Sequence, residues 1–200
     1  VKTCAENGAE YLHFDVMDGM FVSNISFGIP VLASIKDAAD IVMDVHLMIE
    51  EPIRYVEAFH KAGADILNVH YEACEDVQAT LDAIHKCGMK AGLTIKPATP
   101  VEVLKPYLDQ AELFLIMSVE PGKGGQSFIP ESLDKIRELR GLLNEKGLTA
   151  DVEVDGGIHL GNAKEVLEAG ANVLVAGSAV FKDNIAENVK GFMEILNENE

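Results

Sequence analysis

Short apolar runs alternate with amphipathic stretches along the whole chain, and the two periods predict alternating strands and helices. Strand-like runs begin near Tyr11, Ile41, Ile66, Ala91, Leu113, Asp151 and Val173. Helix-like segments lie near 30–39, 52–62, 75–87, 100–109, 130–146, 161–169 and 184–197. Proline stands at or near the start of several, at Pro30, Pro52, Pro100 and Pro130, where a missing N–H costs least. Glycine closes several, at Gly63, Gly88, Gly147 and Gly170, the position that favours left-handed backbone. A weak internal repeat marks three helix-to-strand turns: Gly8-Ala9-Glu10, Gly63-Ala64-Asp65 and Gly170-Ala171-Asn172. No linker or low-complexity stretch interrupts the series, so residues 1–200 read as one domain.

Val1 to Asn7 read as the last turns of a helix stopped by Gly8. In an alternating chain a helix this early calls for a strand before it. The expectation is a domain truncated at its N-terminus; the alternative is a native chain with a short N-terminal helix.

Seven strand–helix units fit an open parallel sheet covered on both faces, or an eight-stranded (β/α) barrel lacking its first strand. Strands covered on both faces read as near-continuous apolar runs. Here the first strand alternates, with Tyr11, His13, Asp15 and Met17 on one side and Leu12, Phe14 and Val16 on the other. The second sets Asp44, His46 and Met48 against Val45 and Leu47, and the third places Asn68, His70 and Glu72 together. A polar side on several strands suits a barrel whose C-terminal mouth is an active site.

Composition narrows the partners. Hydrophobic residues make up 48% and charged residues 24%, an ordinary globular balance that excludes a disordered or collagen-like polymer. A net charge of −17 leaves no basic stripe for nucleic acid, so an anionic ligand must be held locally, by backbone N–H groups or a metal. No apolar run approaches the ~18 residues needed to cross a bilayer, and no signal segment opens the chain. Cys4, Cys74 and Cys87 are odd in number and lack CxxC spacing, which suggests a reducing compartment and a cytoplasmic location.

Candidate chemistry concentrates at strand C-terminal ends. His13 and Asp15 share one side of one strand, His46 ends the next, and Asp155 ends Val152-Glu153-Val154-Asp155. Two imidazoles and two carboxylates converging on a barrel mouth would make a divalent metal site. The alternative is that each histidine is a hydrogen-bonded core residue. A second set is glycine-rich: Pro121-Gly122-Lys123-Gly124-Gly125-Gln126, Gly156-Gly157 and Gly177-Ser178-Ala179. Such loops let backbone N–H groups close on a phosphate, though tight turns alone also need glycine. Met17, Met48 and Met117 lie at or near strand ends, as core gap-fillers or as a dry wall around a reacting carbon. Lys96 ends a strand, where a lysine snorkelling from the rim is the simplest role.

At these residues the sequence resembles the ribulose-phosphate 3-epimerase family, from about Gly8 to Phe181. The resemblance is carried by His13-Phe14-Asp15-Val16-Met17-Asp18-Gly19, Phe21-Val22-Ser23-Asn24-Ile25-Ser26-Phe27-Gly28 and Asp44-Val45-His46-Leu47-Met48. It continues in Met117 to Gln126, Val152 to Ile158, and Gly177-Ser178-Ala179. It implies a (β/α)8 barrel that interconverts ribulose 5-phosphate and xylulose 5-phosphate in the pentose phosphate pathway. The implied metal ligands are His13, Asp15, His46 and Asp155, with Asp15 and Asp155 as the acid–base pair acting through an enediolate. Gly122, Gly124, Gly125, Gln126, Gly156, Gly157, Gly177 and Ser178 match the loops that hold phosphate. Met17, Met48 and Met117, with His46 and Asp155, match residues around the substrate. One divalent ion is implied, its identity open among zinc, iron(II), manganese and cobalt.

Three departures accompany the match. The family's first strand, with a serine that contacts substrate, is not in this chain. Lys123 stands where phenylalanine is usual in the mobile loop, and Ser23 replaces a proline. The expected partners are a ketose phosphate and further copies of the chain, since an unclosed barrel exposes strand edges; nucleic acid and membrane are not expected. Rival readings are the same chemistry on allulose 6-phosphate, a barrel lyase or decarboxylase, and a non-catalytic phosphosugar-binding protein.

Overall fold

A computed structural model describes residues 1–199. Seven parallel strands form one sheet in chain order: β1 (Tyr11–Met17), β2 (Val42–Met48), β3 (Ile66–His70), β4 (Lys90–Ile95), β5 (Leu113–Met117), β6 (Asp151–Asp155) and β7 (Val173–Val175). All seven begin at or within a residue of the predicted positions.

The two ends of that order meet. Asp155 of β6 shares one cluster of ligand atoms with His13 and Asp15 of β1, and Asn68 of β3 comes within 3.5 Å of Glu153 of β6. A flat sheet would hold β1 and β6 about 24 Å apart at the usual strand spacing. The sheet therefore curls into a nearly closed barrel, seven-stranded where the (β/α)8 form has eight, with its seam between β7 and β1. The outer edges of these two strands have no strand partner among the described residues. A cavity of about 700 Å³ lies there, lined by Tyr11, His13, Asp15 and Met17 of β1, by β7, and by the glycine loops.

The helices are α1 (Lys2–Glu6), α2 (Ile29–Ile35), α3 (Val56–Ala62), α4 (Val77–Lys86), α5 (Ser132–Glu145), α6 (Ala163–Glu168), α7 (Ser178–Phe181) and α8 (Ile185–Asn197). Alternation along each strand divides the interior in two. Outward residues such as Phe14, Val45, Leu67, Leu93, Phe114 and Val154 pack in one core with Leu32, Phe59, Leu81, Ile136, Val166 and Phe192. The other parity points into the barrel and carries the polar groups. Gly63 and Gly170 end their helices at φ 101° and 116°, backbone that an L side chain rarely adopts.

The helical segments depart from expectation in four places. Residues Val101–Tyr107 form a 3-10 helix rather than an α-helix, and the Pro106 ring would clash with the carbonyl four residues earlier, at Glu102, in an α-helix. The 52–62 segment starts as a 3-10 turn, Pro52–Tyr55, before α3. Helix α2 stops at Ile35 instead of running to residue 39, where Asp37 and Asp40 would oppose the negative end of the helix dipole. Ser178, read as part of a glycine loop, opens the short α7. No helix among the described residues is long and apolar enough to cross a membrane.

Candidate active site

The pairing of β1 with β2 sets His13 beside Asp44 and Asp15 beside His46. All four side chains belong to the inward parity. His13 Nε2, His46 Nδ1 and Asp15 Oδ1 form a triangle with sides of 3.3, 3.4 and 2.9 Å. Asp155 of β6 completes the set, with one ligand atom from each residue all lying within 4.8 Å of one another. The four predicted metal ligands thus come together although 142 positions separate the first from the last.

The far side of each ring fixes what the near side offers. Asp44 Oδ2 sits 2.5 Å from His13 Nδ1, and a carboxylate can only accept, so the proton is on Nδ1 and Nε2 faces the cluster. His46 Nε2 lies 2.9 Å from His70 Nε2, which leaves Nδ1 facing the cluster. Two ring nitrogens and two carboxylates then point at one place, and only positive charge satisfies them together. A tetrahedral cation bound at about 2.0–2.1 Å has ligand atoms about 3.3 Å apart. The triangle matches that spacing, so the residues fit a divalent metal.

Electrostatics separates the two aspartates. Burial would raise Asp15, but hydrogen bonds from His13 and His46 outweigh it and hold the carboxyl far below its ordinary range. Asp155 is pushed upward, mainly by burial; His13 pulls it back down, the negative charge of Asp15 adds to the rise, and His46 and Asp44 act more weakly in opposite senses. Burial would lower His13 too, yet the charges of Asp44 and Glu153 and hydrogen bonds to Asp15 and Asp44 raise it well above the usual imidazole value. The cluster attracts a proton when it holds no other cation, and metal uptake would displace it.

Beneath the cluster lies a fully buried polar layer of Asp44, Asn68 and Glu153. Asn68 Nδ2 donates to Asp44 Oδ1 at 2.6 Å, which keeps that carboxylate aimed at His13. Glu153 Oε1 is 3.4 Å from His13 Nδ1, and burial with the neighbouring Asp44 charge raises its carboxyl. Asp44, Asn68, Glu153 and His70 were not among the predicted site residues. Their shared parity with His13, His46 and Asp155 was the available signal.

The loops above the strands form the mouth. Asp18 Oδ1 accepts from the Met20 and Phe21 N–H groups, and its Oδ2 from Glu50 N–H. Ser26 accepts from Met17 N–H and donates to the Asp15 carbonyl, pinning the end of β1. Asn24 donates to the Gly122 carbonyl at 2.9 Å, joining this loop to the one after β5. Gln126 donates to the Glu120 and Lys123 carbonyls and so folds the glycine loop upon itself. Gly157 has φ +66°, and a Cβ there would lie 2.3 Å from Phe128 N. Met17, Met48, Met117, Gly122, Gly124, Gly125, Gln126, Gly156, Gly157, Gly177 and Ser178 all line the cavity with Asp155, while His46 is buried behind it. Lys96 lies over the Phe21 ring at 3.9 Å, a rim position as expected.

Fold and site together define a (β/α)-barrel enzyme with a candidate His/Asp metal-binding cluster at the C-terminal mouth of its strands. Among solved structures the fold is similar to 3-hexulose-6-phosphate synthase (TM-score 0.73, 18% identity, 98% of this chain and 90% of that one). It is also similar to phosphoribosyl anthranilate isomerase from Thermus thermophilus (TM-score 0.70, 18% identity, 100% and 93%). These distant likenesses establish architecture alone. In sequence, the family model described as "Ribulose-phosphate 3 epimerase family" matches residues 1–181. The chain is 51% identical over 194 residues to ribulose-phosphate 3-epimerase of Synechocystis sp., covering 96% of this chain and 84% of that protein. For the Bacillus subtilis protein of the same name the figures are 49% over 182 residues, 90% and 84%. The chain belongs to the ribulose-phosphate 3-epimerase family.

Proposed function

We propose that this protein is an isomerase that interconverts D-ribulose 5-phosphate and D-xylulose 5-phosphate by moving a proton at C3 through an enediolate. The observation that carries the reading is the placement of Asp15 on β1 and Asp155 on β6, brought together in one cluster with His13 and His46. Epimerisation beside a carbonyl removes hydrogen from one face and returns it on the other. A single base tends to restore the proton to the face it left. In one direction Asp15, ionised, acts as the base while Asp155 delivers a proton as the acid. The states exchange in the reverse direction.

His13, Asp15, His46 and Asp155 would hold one divalent metal. Its positive charge would stabilise the negative charge that develops on substrate oxygen. The histidine and carboxylate donors suit zinc, iron(II), manganese or cobalt. Each aspartate has two oxygens, so one can serve the cluster while the other faces the sugar. Gly124, Gly125, Gly156, Gly157, Gly177 and Ser178 would hold the phosphate through backbone N–H groups, with Gly122 and Gln126 shaping the loop. Met17, Met48 and Met117 would wall the reacting carbon from water. Binding of the remote phosphate supplies free energy that can be used at the reacting centre.

The test is turnover of ribulose 5-phosphate and of allulose 6-phosphate, each assayed with and without a chelator. Chelator-sensitive conversion to xylulose 5-phosphate, faster than conversion of the six-carbon sugar, is expected. Preference for allulose 6-phosphate would overturn the substrate, and phosphosugar binding without turnover would overturn the activity.

A further inference from the structure

His46 has a neighbour with no part in the chemistry above. His70 is fully buried at the end of β3, its Nε2 2.9 Å from His46 Nε2. Its Nδ1 lies 3.2 Å from Glu72 Oε2. Glu72 Oε1 accepts from the Lys96 N–H at 2.8 Å and from the Thr99 hydroxyl. Phe21 covers the His70 ring at 4.8 Å between centroids.

Two Nε2 atoms at that distance need one proton between them. Glu72 accepts on both oxygens, so His70 must present its N–H at Nδ1, which leaves a lone pair on its Nε2. His46 then carries its own proton on Nε2, and its Nδ1, the atom beside Asp15 and His13, is free to give its lone pair to a cation that takes the place of the proton shared there. Every hydrogen bond along this chain is donated away from the cluster. A buried chain of that polarity, from ring to ring to carboxylate, orients a ligand and raises its basicity.

We propose that His70, held by Glu72, is a positioning residue that sets the tautomer and ring orientation of His46 for a divalent cation. This rests on the metal reading given above.

The test is cobalt(II) binding to the metal-free full chain, by competition with a chromophoric chelator and by the cobalt visible spectrum. His70→Phe keeps the ring's bulk without an acceptor, and Glu72→Ala frees the His70 tautomer. Both should weaken binding about 10–100-fold. His70→Gln, whose side-chain oxygen can accept from His46, should retain most of the affinity and the wild-type spectrum. Wild-type affinity in folded His70→Phe and Glu72→Ala would overturn the proposal, as would a His70→Gln loss equal to that of His70→Phe. If His70→Phe does not fold, Glu72→Ala, which leaves the ring in place, decides alone. If the wild-type chain itself binds no divalent ion, the metal reading and this inference fall together. If it binds and the variants match it, only this inference falls.

Discussion

Gly92 and Asn68 face each other across β3 and β4, and a Cβ on Gly92 would lie 1.6 Å from Asn68 Oδ1. The missing side chain on β4 is the space that the Asn68 amide occupies inside the barrel. Because Asn68 holds Asp44 and Asp44 holds His13, this glycine supports the candidate metal cluster from two strands away.

Gly92→Ala should therefore destabilise the fold by about 1–3 kcal/mol or more, the usual cost of overpacking a filled interior. Urea unfolding measures this. It should also weaken metal binding, as Asn68 is pushed off Asp44. Unchanged stability and affinity would show that the layer yields freely.

Much of this architecture was legible along the chain, and the reason differs by element. The seven strands announce themselves as short apolar runs, and period-two alternation in the first two names the side that His13, Asp15 and His46 share. That side becomes the barrel interior only because the sheet curls, and nothing local to Asp155 shows that it will meet β1. The polar layer was harder. Asp44, Asn68 and Glu153 have the parity of the ligands, but their depth follows from the register between neighbouring strands. Residues 101–107 carry a helical pattern, and Pro106 tightens them into a 3-10 turn.

Metal removal should abolish turnover and lower stability. A cation present at a hundredfold its Kd adds about 2.7 kcal/mol to the folded state. Chelation should lower Tm accordingly, and adding back manganese, cobalt, zinc or iron(II) should restore both properties. Full activity in the chelated protein would remove the cation from the account.

Stability in acid should carry the signature of His70. Burial holds its imidazole down at about 4 even though Glu72 pulls the other way. An unfolded histidine titrates near 6.5. Between those values the unfolded chain binds a proton that the folded chain does not, so stability falls as pH falls through that window. Glu153 and Asp155, raised in the fold, act in the opposite sense but are common to wild type and variant. From pH 7 to pH 5 the metal-free wild type should lose about 2 kcal/mol relative to His70→Gln. Urea unfolding at both pH values checks this, and parallel losses would contradict it.

Asn24 ties the loop after β1 to Gly122 in the loop after β5. Asn24→Ala removes one hydrogen bond, worth about 1 kcal/mol, and should raise KM about fivefold while leaving cobalt affinity intact. An equal fall in metal affinity would place Asn24 in the cluster's support instead of the mouth.

The central claim is that Asp15 and Asp155 serve opposite faces of one carbon, and solvent-hydrogen exchange in Asp155→Asn tests it most directly. The asparagine keeps an oxygen toward the cluster but cannot deliver a proton. In deuterated water, one pentulose phosphate should exchange its C3 hydrogen through Asp15 with no epimer formed. Epimerisation at the wild-type rate in this variant would contradict the account.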